Sequence, residues 1–494
     1  MRSRVQRHVF DLFDSGLPAE HATARPSGAP KQHELFPKKP DGLTWHDYLL
    51  MLLHIGSEIE HGLMVQYLYA AYSLGGEQVP SDHREKVQRW RDSLLTIAKE
   101  EMGHLLSIQN LICLLGGPIN LDREDYPFDS PYYPFPFRLE PLTLDSLSCY
   151  VYAEMEPHMP KTSGPKDPGR RFTEFEMKDR ARIRKAVIAR VAGGKPHHAG
   201  EIYERIIEIL SNADLITDSD FNSASYASQA SWDEWGKGYR PNPDDTDAKQ
   251  VAPAKQSNVI VAQMATRTEA VAALKAVAGQ GEAPHLQDRP TTEPSHFDRF
   301  VGLYQGFERI KGWKPNREAP INPTTVDPAK VKTGGTYIEA KASRAWADLF
   351  NVRYRMLLTY LAHTYRARPT DSGRPNVRGL ALHRVFAEMY NIKAIADILF
   401  RLPLRDNPKD PRRAGPPFQM PYTLALPTDE ADCWQLHRDL IRTSQTLCDG
   451  LLAGAPSLPD GQRYLATLRD LDRQAMSWID HIRGDLGSNT RQRL

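Results

Sequence analysis

Apolar positions with a helical repeat dominate two early stretches of the chain. Between Tyr48 and Tyr67, the residues Leu49, Leu53, Gly56, Leu63, Met64 and Tyr67 share one helical face. A second stripe joins Leu94, Ile97, Ala98, Leu105 and Ile108. The Gly/Pro/Ser-containing stretch from Gly75 to Ser81 lies between them, so residues 44–117 are predicted to form two long antiparallel helices. Prolines recur too closely from Tyr126 to Phe137 for regular helix, and residues 118–143 read as an aromatic loop laid across the helices or lining a pocket for flat substrates. Residues 144–158 are predicted to be helical, with Tyr150 and Glu154 pointing inward. A Lys-, Arg-, Gly- and Pro-rich stretch over 161–198 reads as a solvated insertion ending in an exposed His197–His198 pair. A third helix of the bundle follows it, and residues 212–256 form a polar excursion. Another stripe, Val271, Leu274 and Ala278, runs into Glu282, and Pro294–Ser295 marks a further helix start. Beyond a Pro-rich connector, helical patterns cover 345–365, 382–402, 431–452 and 462–482, with Met356, Met389 and Met476 as core filling.

Three polar residues fall on these apolar faces. Glu60 lies on the first stripe, and Glu101 and His104, spaced Glu-x-x-His, lie on the second. Burying an unpaired carboxylate is expensive, and neither stripe carries an inward Lys or Arg to compensate. Glu58 falls off the stripe and Glu100 shares its face with Ser93, Thr96 and Ser107, so both are expected to be solvated; His61 is turned about 100° away from Glu60. One inward Glu facing an inward Glu-x-x-His is half of the dinuclear carboxylate site of a ferritin-like four-helix bundle, which repeats the set on two further helices.

The motifs around these residues carry a family resemblance. Glu60–His61 followed by the run from Tyr67 to Ser73, Glu100 to Leu105, Asn110–Leu111 and Leu115 to Gly117 resemble the ferritin-like domain of iminophenyl-pyruvate dimer synthases. The likeness continues through Gly200 to Tyr203, Gln280 to Glu282, His296 to Phe300 and Ala414 to Phe418, and so spans most of residues 44–425. Members of that family couple imines derived from aromatic amino acids on the way to bisindole pigments and antibiotics. The resemblance implies a first half-site of Glu60, Glu101 and His104, and a second of Glu201, Glu282 and His296. In the residues themselves Glu201 has a competitor in Glu204, since its helical neighbours Glu204, Arg205 and Glu208 read as a solvated face. His285 competes with His296, because Glu282-Ala283-Pro284-His285 is also Glu-x-x-His, although Pro284 disfavours helix there. Tyr67 and Tyr203, on the same helices as the ligands, could donate hydrogen bonds or move a proton or electron.

The expected architecture is therefore all-α. It comprises an N-terminal tail over 1–43 and a ferritin-like metal-binding bundle over 44–310 with insertions at 118–198 and 212–256. A Pro-rich connector over 311–344 and a C-terminal helical region over 345–494 complete it. With 63 basic and 62 acidic residues the net charge is +1, so no global field points to nucleic acid or a membrane. The first residues lack the apolar segment of a secretion signal, and cytoplasm is the expected location. Four scattered cysteines, Cys113, Cys149, Cys433 and Cys448, suggest free thiols and no iron–sulfur cluster. Carboxylates and imidazoles without thiolates suit iron, most simply two non-haem ions, or manganese. The expected activity is an oxygen-dependent oxidation or coupling of an aromatic or amino-acid-derived small molecule. A pathway enzyme could supply a reactive imine, and a homo-oligomer is compatible with the fold. A metal-storage protein and a non-catalytic helical partner-binding protein are the other classes carried forward.

Overall fold

A computed structural model describes residues 39–40, 42–130, 132–156, 173–191, 196–235, 259–281, 294–331, 333–367, 377–454 and 458–491. The helices, in chain order, are α1 (Trp45–Ser73), α2 (Arg84–Leu114), α3 (Leu144–Ala153), α4 (Thr173–Ile188), α5 (Gly200–Leu210), α6 (Trp232–Trp235), α7 (Arg267–Gln280), α8 (His296–Glu308), α9 (Lys341–Arg366), α10 (Val377–Leu399), α11 (Glu430–Ala453) and α12 (Pro459–Arg491). The sheet among the described residues is one two-stranded parallel pair, Pro323–Thr324 with Thr336–Tyr337. The fold is thus all-α, and no described helix is long and apolar enough to cross a membrane.

Helix α1 is buried nearly all round, as a central helix must be. Thr44 caps it by accepting from the Asp47 amide at 3.0 Å, and Gly75 and Gly76, both at positive φ, turn the chain out of it. α2 starts solvated and becomes buried from Leu94 onward, where its stripe packs along α1.

Each of the other two arms of the bundle contains two helices. α3 ends beside Glu154, and the chain departs through the segment that contains α4. It returns so that the Ala199 amide donates to the Ala153 carbonyl at 3.1 Å, which makes α5 the continuation of α3. The fourth arm is α7 followed by α8. α5 packs on α7 and α3 on α8, so the two arms run antiparallel. Residues 144–153, which the hydrophobic pattern put inside an insertion, therefore belong to the bundle core. Ser295 starts α8 with a capping box to Asp298, in agreement with the predicted helix start.

The aromatic loop is structural glue. Phe137 packs so closely on Gly62 that a Cβ there would lie 2.7 Å from its ring, and Tyr126 donates to the Gly62 carbonyl at 2.7 Å. A second strap, residues 259–264, lies along α2, where Ser107 bonds both Ile260 O and Ala262 N and Asn110 donates to Ala262 O at 2.8 Å. Gly103 makes room for it: an added Cβ would sit 2.5 Å from Ile260 O and 2.8 Å from Val259 Cγ1. Gly103→Ala is expected to destabilise the protein by about 1–3 kcal/mol, the usual range for overpacking, and a lower urea midpoint with an unchanged slope would report it.

The C-terminal helices pack on one another in sequence, α9 with α10 and α11, and α11 with α12. Arg353 is fully buried at their centre. It pairs in a bidentate manner with Glu388 (2.6 and 2.9 Å) and with Asp472 (2.8 and 2.9 Å), and also donates to Ser444. His61 links this region to α1, meeting Leu121 O at 2.9 Å and the Tyr354 hydroxyl at 2.5 Å.

Candidate metal centre

The end of α3 and the start of α8 face the inward residues of α1 and α2. Glu60 from α1, Glu101 and His104 from α2, Glu154 from the end of α3 and His296 from the first turn of α8 meet there, each with no exposed surface. Glu101 sits in the middle. Its Oε2 lies 3.0 Å from His104 Nδ1 and its Oε1 lies 3.0 Å from His296 Nδ1. Glu60 Oε2 approaches His104 Nδ1 at 3.6 Å, and Glu154 Oε2 approaches His296 Nδ1 at 3.5 Å. The cluster therefore consists of two halves, Glu60 with His104 and Glu154 with His296, which share the two oxygens of Glu101.

A surrounding layer orients each of these groups. The far nitrogen of each imidazole has its own acceptor: His104 Nε2 meets Gln280 Oε1 at 3.0 Å, and His296 Nε2 meets Glu100 Oε2 at 2.9 Å. Arg299, one turn after His296, donates to the same Glu100 oxygen at 2.5 Å. With Nε2–H committed outward, each Nδ1 is left to face the carboxylates, the arrangement by which outer partners fix a metal-binding histidine. The carboxylates are held in the same way. Tyr67 donates to Glu154 Oε1 at 2.5 Å, and Tyr203 donates to Glu60 Oε1.

What this leaves over is what a metal would use. Glu60 Oε2, Glu101 Oε1, Glu154 Oε2 and His296 Nδ1 are buried without a hydrogen-bond partner, and all point into the shared space. Such orphans are costly in a protein interior. Without an ion, the cluster balances its charge with protons. Burial and the neighbouring Glu101 charge push the Glu60 carboxyl up to about 8, and the same two causes raise Glu154. Burial opposes charge on both imidazoles, but Glu101 with Glu60 or Glu100 outweighs it and holds His104 and His296 well above the usual histidine range. Burial would also raise Glu101, yet the His296 charge and the His104 hydrogen bond keep it well below the usual carboxylate range.

The sequence-predicted residues divide accordingly. Glu60, Glu101, His104 and His296 come together, with Tyr67 and Tyr203 as hydrogen-bond donors behind them. The third arm reaches His296 through Glu154, seen in the sequence as inward but not selected as a ligand. Glu201 is buried at the start of α5, where its Oε1 accepts from the His198 amide at 3.1 Å. Glu282, and His285, the competitor of His296, lie outside the described residues. The backbone just before Glu282 touches the cluster, since a Cβ on Gly281 would lie 3.4 Å from Glu154 Oε2 and 3.6 Å from His296 Nδ1.

Three expectations of solvation are overturned. Glu100 is buried against His296 and Arg299. Glu58 is buried beneath the aromatic loop, where Tyr133 donates to it at 2.6 Å and burial raises its carboxyl to about 7. His197 and His198 are buried as well, with His198 stacked on Tyr152.

The chain belongs to the ferritin-like family, whose model matches residues 53–305. Among curated proteins it is similar to dichlorochromopyrrolate synthase of Lentzea aerocolonigenes, with 24% identity over 418 residues that cover 75% of this chain and 36% of that protein. The chain thus spans about a third of that relative's length. No solved structure matches it.

Proposed function

We propose that the chain is an oxidative enzyme of biosynthetic metabolism, using two non-haem iron ions, or manganese in their place, to oxidise or couple an aromatic or amino-acid-derived imine. The observation that carries this reading is the pair of imidazole Nδ1 atoms facing the two oxygens of one buried carboxylate, each with its Nε2 committed to an outer acceptor. Glu60, Glu101 and His104 would hold one ion, and Glu101, Glu154 and His296 the other, with Glu201 and Glu282 as further candidates. Hard oxygen and imidazole donors without thiolate suit iron or manganese. When bound, such a pair supplies electrons to dioxygen and takes electrons from an organic substrate.

The chain's own residues do the rest. Burial excludes bulk water, so every charge in the cluster acts in a medium of low polarity. The Tyr67 hydroxyl holds its proton against Glu154 Oε1, and the Tyr67 ring packs on Tyr150 and Phe300 at 4.9 and 4.8 Å, an aromatic wall on that side of the centre. The family and the biosynthetic relative support an oxidative role, and the family resemblance in the sequence supports an imine as the substrate class.

Full-length protein loaded anaerobically with iron(II) and then given oxygen together with the imine of an aromatic amino acid tests the proposal. Imine-dependent oxygen uptake with a product of doubled carbon skeleton is expected. Iron uptake far beyond about two ions per chain, with no dependence on the imine, would make the protein a store and defeat the enzymatic reading. Within the same assay, Tyr67→Phe leaves Glu154 Oε1 without its donor. Metal affinity at the Glu154–His296 position is expected to fall about 10- to 100-fold, as for other outer-partner losses, while the other position keeps its affinity in an iron titration.

A further inference from the structure

A second group of metal-ligating side chains lies outside the bundle, where the last turns of α9 face the first two turns of α11. Glu430, Cys433, Trp434 and His437 follow the spacing that places them on one face of α11, and His363 projects onto them from α9. His363 Nε2 lies 3.0 Å from Glu430 Oε1, and the ligand atoms of His363, Glu430 and Cys433 all lie within 4.8 Å of one another. His363 has no exposed surface and Cys433 is buried, while Glu430 is 32% exposed and gives the cluster its access to solvent.

We propose that His363, Glu430 and Cys433 bind a single divalent cation of the zinc class, separate from the bundle centre, that ties the end of α9 to the start of α11. Zinc accepts this mixture of imidazole, carboxylate and thiolate, and three protein ligands leave the fourth position to water. Bonds of about 2.0–2.3 Å place tetrahedral ligand atoms roughly 3.3–3.6 Å apart. The observed 3.0 Å between His363 and Glu430 would open by a few tenths of an ångström, and the Cys433 sulfur, within 4.8 Å of both, would close by up to about 1.2 Å.

The partners around the three residues are those a metal site needs. His363 Nδ1 lies 2.9 Å from His437 Nε2, which fixes the ring and leaves Nε2 to face Glu430 and Cys433. His437 is itself held by stacking on Tyr360, with ring centroids 3.9 Å apart. Trp434 Nε1 donates to Glu430 Oε1 at 2.8 Å, orienting the carboxylate. The Cys433 thiol donates to Pro427 O at 3.2 Å and receives the Arg366 guanidinium at 3.4 Å. An ion would replace the thiol proton, and Arg366 favours the resulting thiolate.

Cobalt(II) titration of the chelator-treated full chain tests the site, because a near-ultraviolet thiolate-to-cobalt band appears only when sulfur is bound. Wild-type protein and E101A should both develop the band, E101A saturating at about one equivalent per chain and wild type after its bundle centre has taken up to about two more, and zinc should bleach it. C433S should show no band, and E430Q should require at least about tenfold more cobalt, since one ligand is lost. Absence of the band in the wild type, or its persistence in C433S, overturns the proposal. The wild-type titration decides against the site by itself, so the result does not depend on the folding of C433S. Full affinity in E430Q would remove Glu430 from the ligand set and overturn the three-ligand site.

Discussion

Replacing Glu101 by Ala is expected to empty both positions of the bundle centre at once, taking iron from about two ions per chain to near none. Glu101 is the only carboxylate of the cluster, among the described residues, that approaches both Nδ1 atoms, at 3.0 Å on each side. Each ion would lose one ligand's share of a binding energy on the order of 10–16 kcal/mol, so both are weakened about a hundredfold or more. Glu60→Ala and Glu154→Ala should instead weaken one position each, because Glu60 approaches only His104 and Glu154 only His296. Loss through misfolding is separable from loss of a ligand. Without metal, Glu101→Gln removes the anion that pairs with both imidazoles, so its chelated form should melt below chelated wild type, and the lost ligand is read instead as the loss of the further rise in melting that metal gives the wild type. Metal analysis and melting of wild type and variants, with and without chelator, read all of this. Two tightly held ions in the Glu101 variants would sink the shared-carboxylate arrangement.

The half-site on α1 and α2 was legible because each helix is long and strongly periodic, so a single charged residue on the apolar face stands out. His296 came from the family resemblance, and the Pro294–Ser295 helix start that supported it is seen in the capping box with Asp298. The second pair of arms was harder, because each is split. α3 is only ten residues long, and its link to α5 is one backbone hydrogen bond across a 45-residue detour from Glu154 to His198, a tertiary fact with no local signature. That is why Glu154 was seen to point inward yet was not joined to His296.

Periodicity failed most clearly where a polar residue is buried by a partner from elsewhere in the chain. Glu100 sits on the Ser93, Thr96 and Ser107 face, which reads as solvated, but α8 brings His296 and Arg299 onto it. The 259–264 strap covers Ser107 on the same helix. Glu58 is covered by the aromatic loop. In the C-terminal region Arg353 falls within the 345–365 helical pattern, which says nothing of its partners. Its partners come from residues 35 and 119 positions away, Glu388 and Asp472, so only the packed structure shows a closed charge network.

The metal-free protein is expected to lose stability as pH rises from about 6.5 to about 8, above the range where His54, His61, His198 and His437, all lowered by burial, offset the loss, whereas the metal-loaded protein should hold or gain. Glu60 releases its proton near 4.5 when unfolded but only at about 8 when folded. Glu58 behaves in the same way up to about 7. His104 and His296 are raised well above the unfolded value of 6.5, so they too keep protons in the folded state that the unfolded chain has given up. In this window the native state binds more protons, and stability falls with pH by about 1.4 kcal/mol per unit for each proton. Glu101 and Glu100 have the opposite sign: their folded values are depressed, so their contribution is present above 4.5 and lost only as pH falls below it. The chelated protein should therefore be most stable between about pH 5 and 6.5, declining on both sides. A metal ion removes the cause of the alkaline decline, since it occupies the oxygens and nitrogens that otherwise hold protons. Its affinity should rise across the same window by about tenfold per pH unit for each proton displaced. Thermal melts of chelated and iron-loaded protein between about pH 5 and pH 8 measure both arms, and parallel curves for the two forms would show that protons and metal do not compete for these side chains.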